Sequence, residues 1–488
     1  MKGGITMKYR SFLYIVVFIL VLSIAFMGCG SATQKPEEST GASGEGTSTQ
    51  TESTGTEAST TPSDGGSGAS INLPKYTGTP FAVFQKGEKV VIEDRGGEAF
   101  STDGTLMSAI SQGGYIYLFV LKEGKLHLIK WNGEVVFDKI VETEKEPFNM
   151  WRRAIYYEGY IATYYLTKGR NSFQRVLVVD VDGDKVLDWA PESGPLFISS
   201  LSMGEAQGHK AVFIAVKDGT FVSVLLDGKV LWYAKPKHAQ DALAALYAGD
   251  NIHGIYAENV FKQHLVVIDT LSGHIKGDFT LDREGTRVYA RWIDRKGILL
   301  ADDRQKNFYV ELYGESGKEA QYELKGPVKM IAVVRSKDDN MPVVLYYQHT
   351  QGYTVVSLDG SLKTKWQYEG DIKRYAKLLN IDSIDNTMVG YIGADGYMHV
   401  VLLSPSGEKI FDYKSDKLYA LYPSYSRRDD IHPVAYAGPD GNGVLLLDNA
   451  GKVLWDIPVS SDVHIKDIYP SGDGYVVEAG DSTFYVMP

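Results

Sequence analysis

The sequence predicts an all-β protein, a single large β-propeller of four-stranded blades. Three observations carry this expectation. First, Leu226-Asp227-Gly228-Lys229-Val230-Leu231-Trp232 reads as a strand end, a tight turn and a second strand closing on an aromatic residue. Asp-Gly between apolar alternations is a strong hairpin signal, and a type I′ turn there needs positive φ at both central residues. Second, the segment recurs. Close copies stand at Gly451–Trp455 and Gly133–Phe137, and looser ones at Gly183–Trp189, Gly273–Phe279, Gly317–Tyr322, Gly360–Trp366 and Gly407–Phe411. A truncated copy is Gly87–Ile92. Third, the turn glycines are 43 to 50 residues apart. A period near 45 with several short strands in each period means one blade per repeat.

The chain opens with a basic stretch containing Lys2, Lys8 and Arg10, then an almost wholly apolar run from Ser11 to Met27. Next comes Phe26-Met27-Gly28-Cys29-Gly30. This order reads as a secretory signal. Cysteine directly after a small residue resembles a bacterial lipoprotein signal, which implies cleavage before Cys29 and a diacylglycerol on its thiol. Phe26 departs from that pattern, which usually has Leu, Val or Ile there. The alternative is a permanent spanning segment, since the run approaches the length a bilayer requires. Both readings place the bulk of the chain outside the cytoplasm. The domains expected are therefore a signal over 1–28, a lipidated Cys29 with linker over 29–75, and the propeller over 76–488.

Residues 30–70 are Ser, Thr, Gly and Glu with few others, and no aromatic residue occurs between Phe26 and Tyr76. Such a segment buries too little apolar surface to offset its ordering entropy. As a flexible leash of about 40 residues it spans roughly 35 Å.

One period displays the blade. Ala242–Ala248 is a small-residue strand suited to the crowded inner position, Asn251–Glu258 is the second strand, His264–Asp269 the third and Ile275–Phe279 the fourth. The third strand is an apolar run of the kind buried on both faces. It recurs at Arg175–Asp180, Phe221–Leu226, Tyr353–Leu358 and Gly443–Asp448. The chain closes with Val463–Tyr469, Tyr475–Ala479 and Thr483–Met487, three strands without a fourth. Lys89–Glu93 is a fourth strand with no complete blade before it. Joining the two would close a ring and cover two open sheet edges, which otherwise invite aggregation. The count is then nine units, with eight blades as the alternative.

The segments Leu226–Trp232 and Ile268–Lys276 resemble the quinoprotein-type propeller repeat, Asp-x-x-x-Gly-Lys-x-x-Trp, over about residues 80–488. Two groups share that repeat. One is the pyrroloquinoline-quinone dehydrogenases. The other comprises non-enzymatic propellers, including the lipoprotein of the outer-membrane β-barrel assembly machine. The first group implies an adjacent cysteine pair and a calcium site. Cys29 is the only cysteine, so no cofactor and no metal are expected. Trp189, Trp232, Trp366 and Trp455 end fourth strands, where a large flat ring fills the wedge between splayed sheets.

Other chemistry is thin. Asp180-Val-Asp182-Gly-Asp184 begins like a calcium loop, but its glycine comes early and no Glu closes twelve residues. It coincides with a repeat turn and reads as a solvated hairpin. Ten histidines read as scattered, without metal-ligand spacing. The acidic pairs Asp302-Asp303, Asp338-Asp339 and Asp429-Asp430 sit in expected loops as turn charge, although facing carboxylates could cleave a glycoside. No Gly-x-Ser-x-Gly elbow or phosphate-cradling loop occurs. The face formed by the fourth-to-first and second-to-third strand loops is expected to carry Arg170, Lys237, Arg283, Asp302, Arg304, His349, Lys373 and Arg374.

The net charge is −11, becoming −14 once the three cations of the signal are removed, and no basic run exists. That argues against nucleic acid as a partner. The expected protein is an extracytoplasmic lipoprotein tied to a bacterial membrane through acylated Cys29. It binds a protein or an envelope polymer without catalysis. A propeller enzyme acting on polysaccharide is the alternative, and a quinone-dependent dehydrogenase the second.

Overall fold

The computed structural model describes residues 78–169, 173–191, 197–281, 287–293, 295–302, 307–325, 343–349, 352–369, 372–381, 386–416, 430–438, 441–459, 463–480 and 482–487. The expected signal, Cys29 and the whole of the linker lie outside these residues. The blades belong to a compact unit, Ile71–Pro488.

All regular elements among the described residues are β-strands, gathered in nine antiparallel sheets. The count is nine, not eight. Blade 1 runs from Thr105 to Val141, blade 2 from Pro147 to Trp189, blade 3 from Ile198 to Ala234, blade 4 from Asp241 to Phe279 and blade 5 from Arg287 to Lys325. Blade 6 runs from Val343 to Tyr368, blade 7 from Ile372 to Ser415 and blade 8 from Ile431 to Val459. Blades 6 and 8 show three strands among the described residues. Blade 4 has strands Asp241–Ala248, Asn251–Asn259, Lys262–Asp269 and Ile275–Phe279 in sequence order, so the grammar read from its period holds.

The ninth sheet joins the two ends of the folded region. Strand β1 (Phe81–Lys86) pairs with Ser482–Met487, the third strand of the last period, with Phe81 opposite Met487 and Val83 opposite Tyr485. Strands β2 (Lys89–Asp94) and β3 (Gly97–Asp103) extend the sheet outward, making six strands. The strand that completes the blade is therefore β1, and the expected Lys89–Glu93 lies one strand further out. The reason is local. Ala82 and Val83 are fully buried against their neighbours, and Gly87, at φ +60°, turns the chain straight back into β2.

The repeat turn also differs from the type I′ expectation. Gly228 has φ +89°, whereas Asp227 is not among the residues of positive φ. Gly228 N–H donates to Leu225 O, Leu225 N–H to Lys229 O, and the register slips by one residue between Ser223 and Val224. This is a type I turn closed by a left-handed glycine with a bulge. The same slip occurs between third and fourth strands in blades 1 to 8. At Asp180, the Oδ1 atom accepts from the N–H groups of Asp182 and Asp184, so this acidic triplet is a capped turn.

The core lies between sheets. Third strands such as Arg175–Asp180 and Phe221–Leu225 are buried on both faces, and the apolar clusters each span two consecutive blades. The fourth-strand aromatics lock these layers. The Trp232 indole N–H donates to Thr270 O of the next blade at 2.9 Å, and a Cβ on Gly273 would meet the Trp232 ring at 2.7 Å. Trp366 donates likewise to Pro405 O at 3.1 Å, and its ring lies against Gly407. Phe137 and Phe411 pack on Gly183 and Gly451 in the same way. The ring therefore seats on a turn glycine because any side chain there would push the blades apart.

Candidate functional site at the seam

Trp455 occupies the same repeat position at the end of blade 8, facing the ninth sheet. There no turn connects third strand to fourth, because the two come from opposite ends of the folded region. The counterpart of Gly273 is missing; Trp455 is partly exposed, as the locked Trp366 also is, and packs against the apolar cluster of blade 8 and the ninth sheet. A cleft of about 850 Å³ follows this seam. Its apolar wall includes Trp455, Ile457, Pro458, Phe84 and Phe484. The Phe84 and Phe484 rings stack with centroids 5.3 Å apart. Its charged rim carries Lys86, Glu93, Asp94 and Arg95. Lys86 Nζ lies over the Phe84 ring at 5.5 Å and contacts Glu93 Oε1 at 2.5 Å.

Arg152 lines the cleft from blade 2. The first strand of that blade is broken into Pro147–Met150 and Ile155–Tyr157, leaving Trp151-Arg152-Arg153-Ala154 as an irregular link. Trp151 stacks on Tyr164 with centroids 4.9 Å apart, and its N–H donates to Tyr164 O at 2.7 Å. Arg153 bridges to Ala109 of blade 1, and its guanidinium lies 5.6 Å from the Tyr469 ring centroid in the ninth sheet. Arg152 hydrogen-bonds to the hydroxyl of Thr483, and Tyr485 Oη donates to Arg152 O at 3.2 Å. The link thus fastens blade 2 to the ninth sheet across blade 1.

A second cavity of about 340 Å³ shares Arg152 and is lined by Trp151, Tyr164, Tyr469 and Glu478. Burial pushes the Tyr164 hydroxyl up to about 12. Burial, then the Glu478 charge and the 3.0 Å hydrogen bond that Tyr469 donates to Glu478, hold the Tyr469 hydroxyl above its usual range. Both phenols therefore stay protonated donors at neutral pH. Cleft and cavity together offer aromatic surface, the guanidiniums of Arg95 and Arg152, the carboxylates of Glu93, Asp94 and Glu478, and neutral hydroxyls, a set suited to holding a ligand.

The loop residues expected to line a binding face are not brought together here. Lys237 is exposed after the last strand of blade 3. Asp302 and His349 end second strands. Lys373 and Arg374 lie inside the strand Ile372–Ile381, not in a loop, because the first strand of blade 7 begins earlier than its sequence pattern suggests. Arg170, Arg283, Arg304, Asp303, Asp338, Asp339 and Asp429 lie outside the described residues, and Asp430 is half-buried just before Ile431–Gly438. Among the described residues no group of three His, Cys, Asp or Glu is placed to hold a metal ion. No helix there is long and apolar enough to cross a membrane.

The histidines correct the scattered reading. His127, His264 and His399 hold one equivalent place on third strands. In blade 4, Tyr256 on the second strand lies opposite His264, and Asp278 on the fourth strand ties both. Tyr256 Oη donates to Asp278 at 2.6 Å, and His264 Nδ1 stands 2.9 Å from it. In blade 7, His399 Nδ1 stands 2.8 Å from Asp412 and its ring stacks on Tyr391, which lies opposite it on the second strand. In blade 1, His127 meets Asp138 at 2.7 Å. Blade 2 substitutes Arg175, whose Nε lies 2.6 Å from Asp188 while Tyr165 donates to the same carboxylate. These sets stitch strands within blades.

No family profile matches the chain, and no curated protein sequence matches it. Solved structures do. A BamB from Moraxella catarrhalis aligns at 14% identity over 70% of this chain and 96% of its own, with a TM-score of 0.38. A eukaryotic initiation factor aligns at 9% identity over 85% and 99%, with a TM-score of 0.47. The dihydro-heme d1 dehydrogenase NirN, in complex with DHE, aligns at 12% identity over 70% and 75%, with a TM-score of 0.41. At these identities and scores no residue role or activity passes to this chain.

Proposed function

We propose that this chain is a lipid-anchored, extracytoplasmic β-propeller that binds a protein or a cell-envelope polymer without catalysis. The observation that carries the binding role is the seam cleft, with Trp455 freed from the lock that holds Trp232 and Trp366. An open aromatic wall beside a charged rim is the composition of a recognition surface. The anchor rests on the Gly28-Cys29 sequence and the polar segment after it.

A photo-crosslinking residue at exposed Arg95, followed by recovery from intact cells, tests the cleft. The expected result is one crosslinked partner that disappears in Trp455→Ala and persists in a surface variant such as Lys229→Ala. Crosslinking that survives Trp455→Ala overturns the cleft as the site. Labelled fatty acid entering Cys29→Ser overturns the lipidation.

A further inference from the structure

We propose that the cavity of about 340 Å³ beside Arg152 is a subsite for one uncharged sugar unit of an oligo- or polysaccharide. The proposal rests on the envelope-polymer branch of the binding role above, and gives it a ligand class and a place apart from the Trp455 wall. The lining comes from blade 2 and from the ninth sheet. Its polar side chains use only part of their hydrogen-bonding capacity within the protein. Tyr164 Oη has no partner among the described residues. Asn149 Oδ1 accepts from the Met150 N–H at 2.8 Å and Gln174 Oε1 from the Ile198 N–H, and neither NH2 group has an acceptor among the described residues. Arg152 donates to the Thr483 hydroxyl and has no carboxylate partner among them. Glu478 accepts from Tyr469 at 3.0 Å through Oε1, which leaves Oε2 open. All but Asn149 are half-buried. Polar groups so placed ordinarily find partners, in the protein or in what lies against it. Their convergence on one cavity points to a polar occupant.

The chemistry of the lining selects the class. Arg152 and Glu478 carry opposite charges, so their sum favours an occupant without net charge. The open groups are donors on Tyr164, Asn149, Gln174 and Arg152 and an acceptor on Glu478. A sugar ring bears several hydroxyls, each both donor and acceptor, and answers such a mixture from every side. A peptide carries one backbone donor and one acceptor per residue, and meets fewer of these groups in the same volume. Trp151 adds an aromatic wall, stacked on Tyr164 with centroids 4.9 Å apart. The negative face of an aromatic ring favours the C–H edge of a sugar. The wall is preformed, since Trp151 N–H donates to Tyr164 O at 2.7 Å and Thr163 Oγ1 donates to Trp151 O at 3.2 Å. At about 340 Å³ the cavity lies at the small end of ligand sites, which run from about 300 to 1,000 Å³, and so suits a single unit.

The test titrates the full chain by calorimetry. The probes are neutral hexasaccharides of glucose, N-acetylglucosamine, mannose and galactose, an anionic hexagalacturonate, and an uncharged blocked peptide of Gly, Asn and Ser. One or more neutral hexasaccharides are expected to bind, and the anionic one and the peptide more weakly. Tyr164→Phe removes a hydroxyl that bonds to no described residue. It should weaken the sugar about two- to tenfold, the worth of one hydrogen bond, while the unfolding temperature stays level or rises. Glu478→Gln keeps an acceptor for Tyr469 but leaves Arg152 unbalanced, so it should narrow the preference for neutral over anionic sugar. The surface variant Lys229→Ala should bind within about twofold of the parent. A cavity that binds none of the neutral sugars, tighter binding of the peptide, a Tyr164→Phe protein that is less stable or binds sugar as the parent does, or a preference unmoved by Glu478→Gln each overturns the proposal. Crosslinking from Arg95 reports the seam and sugar titration reports the cavity, so a failure of one reading is distinct from a failure of the other.

Discussion

The indole Nε1–H of Trp232 donates to Thr270 O at 2.9 Å while its ring rests on Gly273, in the turn that begins at Asp269. Two consecutive blades are thereby joined by one residue of the first and two of the second. The ring needs a partner without a side chain, and the indole needs an acceptor at the same turn. The repeat supplies both through a glycine-bearing turn.

This relationship separates two glycines that look alike in sequence. Gly228 has φ +89° and open space where a Cβ would go, so Gly228→Ala costs only the strained conformation, roughly 1–2 kcal/mol. Gly273→Ala adds overpacking against Trp232, which typically costs about 1–3 kcal/mol more. Denaturant midpoints of the two variants should differ in that order. Equal midpoints would remove the lock from the account.

Trp232 is 7% exposed, and truncating a buried Trp costs about 3–5 kcal/mol. Trp455 is partly exposed at the seam. Trp455→Ala should therefore lower thermal stability by less than half as much as Trp232→Ala, while acting on partner capture. A Trp455→Ala protein as unstable as Trp232→Ala would mark a purely structural residue.

Burial pulls the Asp278 carboxyl upward, but hydrogen bonds from His264 and Tyr256 outweigh it and hold the group below its usual range. A depressed folded pKa contributes stability above the unfolded value near 3.9, and that contribution is lost as pH falls through the folded value. Asp278→Asn should lower the unfolding temperature at pH 5–7. The gap to the parent should narrow as pH falls below about 4, where the unfolded carboxyl takes up its proton, and should go on shrinking as pH falls through the depressed folded value. A gap that stays constant to pH 3 would contradict the tie.

Val83 is fully buried opposite Tyr485. Val83→Asp places an unpaired charge there and should cost about 3–5 kcal/mol. Amide exchange should rise first in the ninth sheet. Lys89→Glu, exposed at the start of β2, should leave exchange unchanged. Uniform acceleration across all blades would show that the seam is not a separate unit.

Periodicity revealed the blades because a repeated strand length and turn leave a repeated spacing. The composite sheet was legible for the same reason, since three final strands lacked a fourth. Which N-terminal strand filled the gap was not, because Phe81–Lys86 and Lys89–Asp94 carry similar apolar patterns and only pairing tells them apart. The cleft was hidden in what the repeat omits. Trp455 reads like every other blade-ending aromatic, and its difference is the absence of a turn opposite. The Trp151–Ala154 link did leave one trace. Gly133 to Gly183, at 50 residues, is the longest interval in the series. The histidine ties escaped notice because their partners lie on two other strands, at spacings no linear motif records.

The pairing of Phe81 with Met487 spans 406 positions. Its loop-closure entropy is the largest of any strand pair described, and contacts of such separation form slowly. During synthesis β1 emerges first and its partner last, so β1 has one covered edge and one open edge for nearly the whole interval. The β2–β3 hairpin makes that wait tolerable. It is a short-range structure that can fold at once and shield one edge of β1, leaving a single vacancy that only the final strand fills.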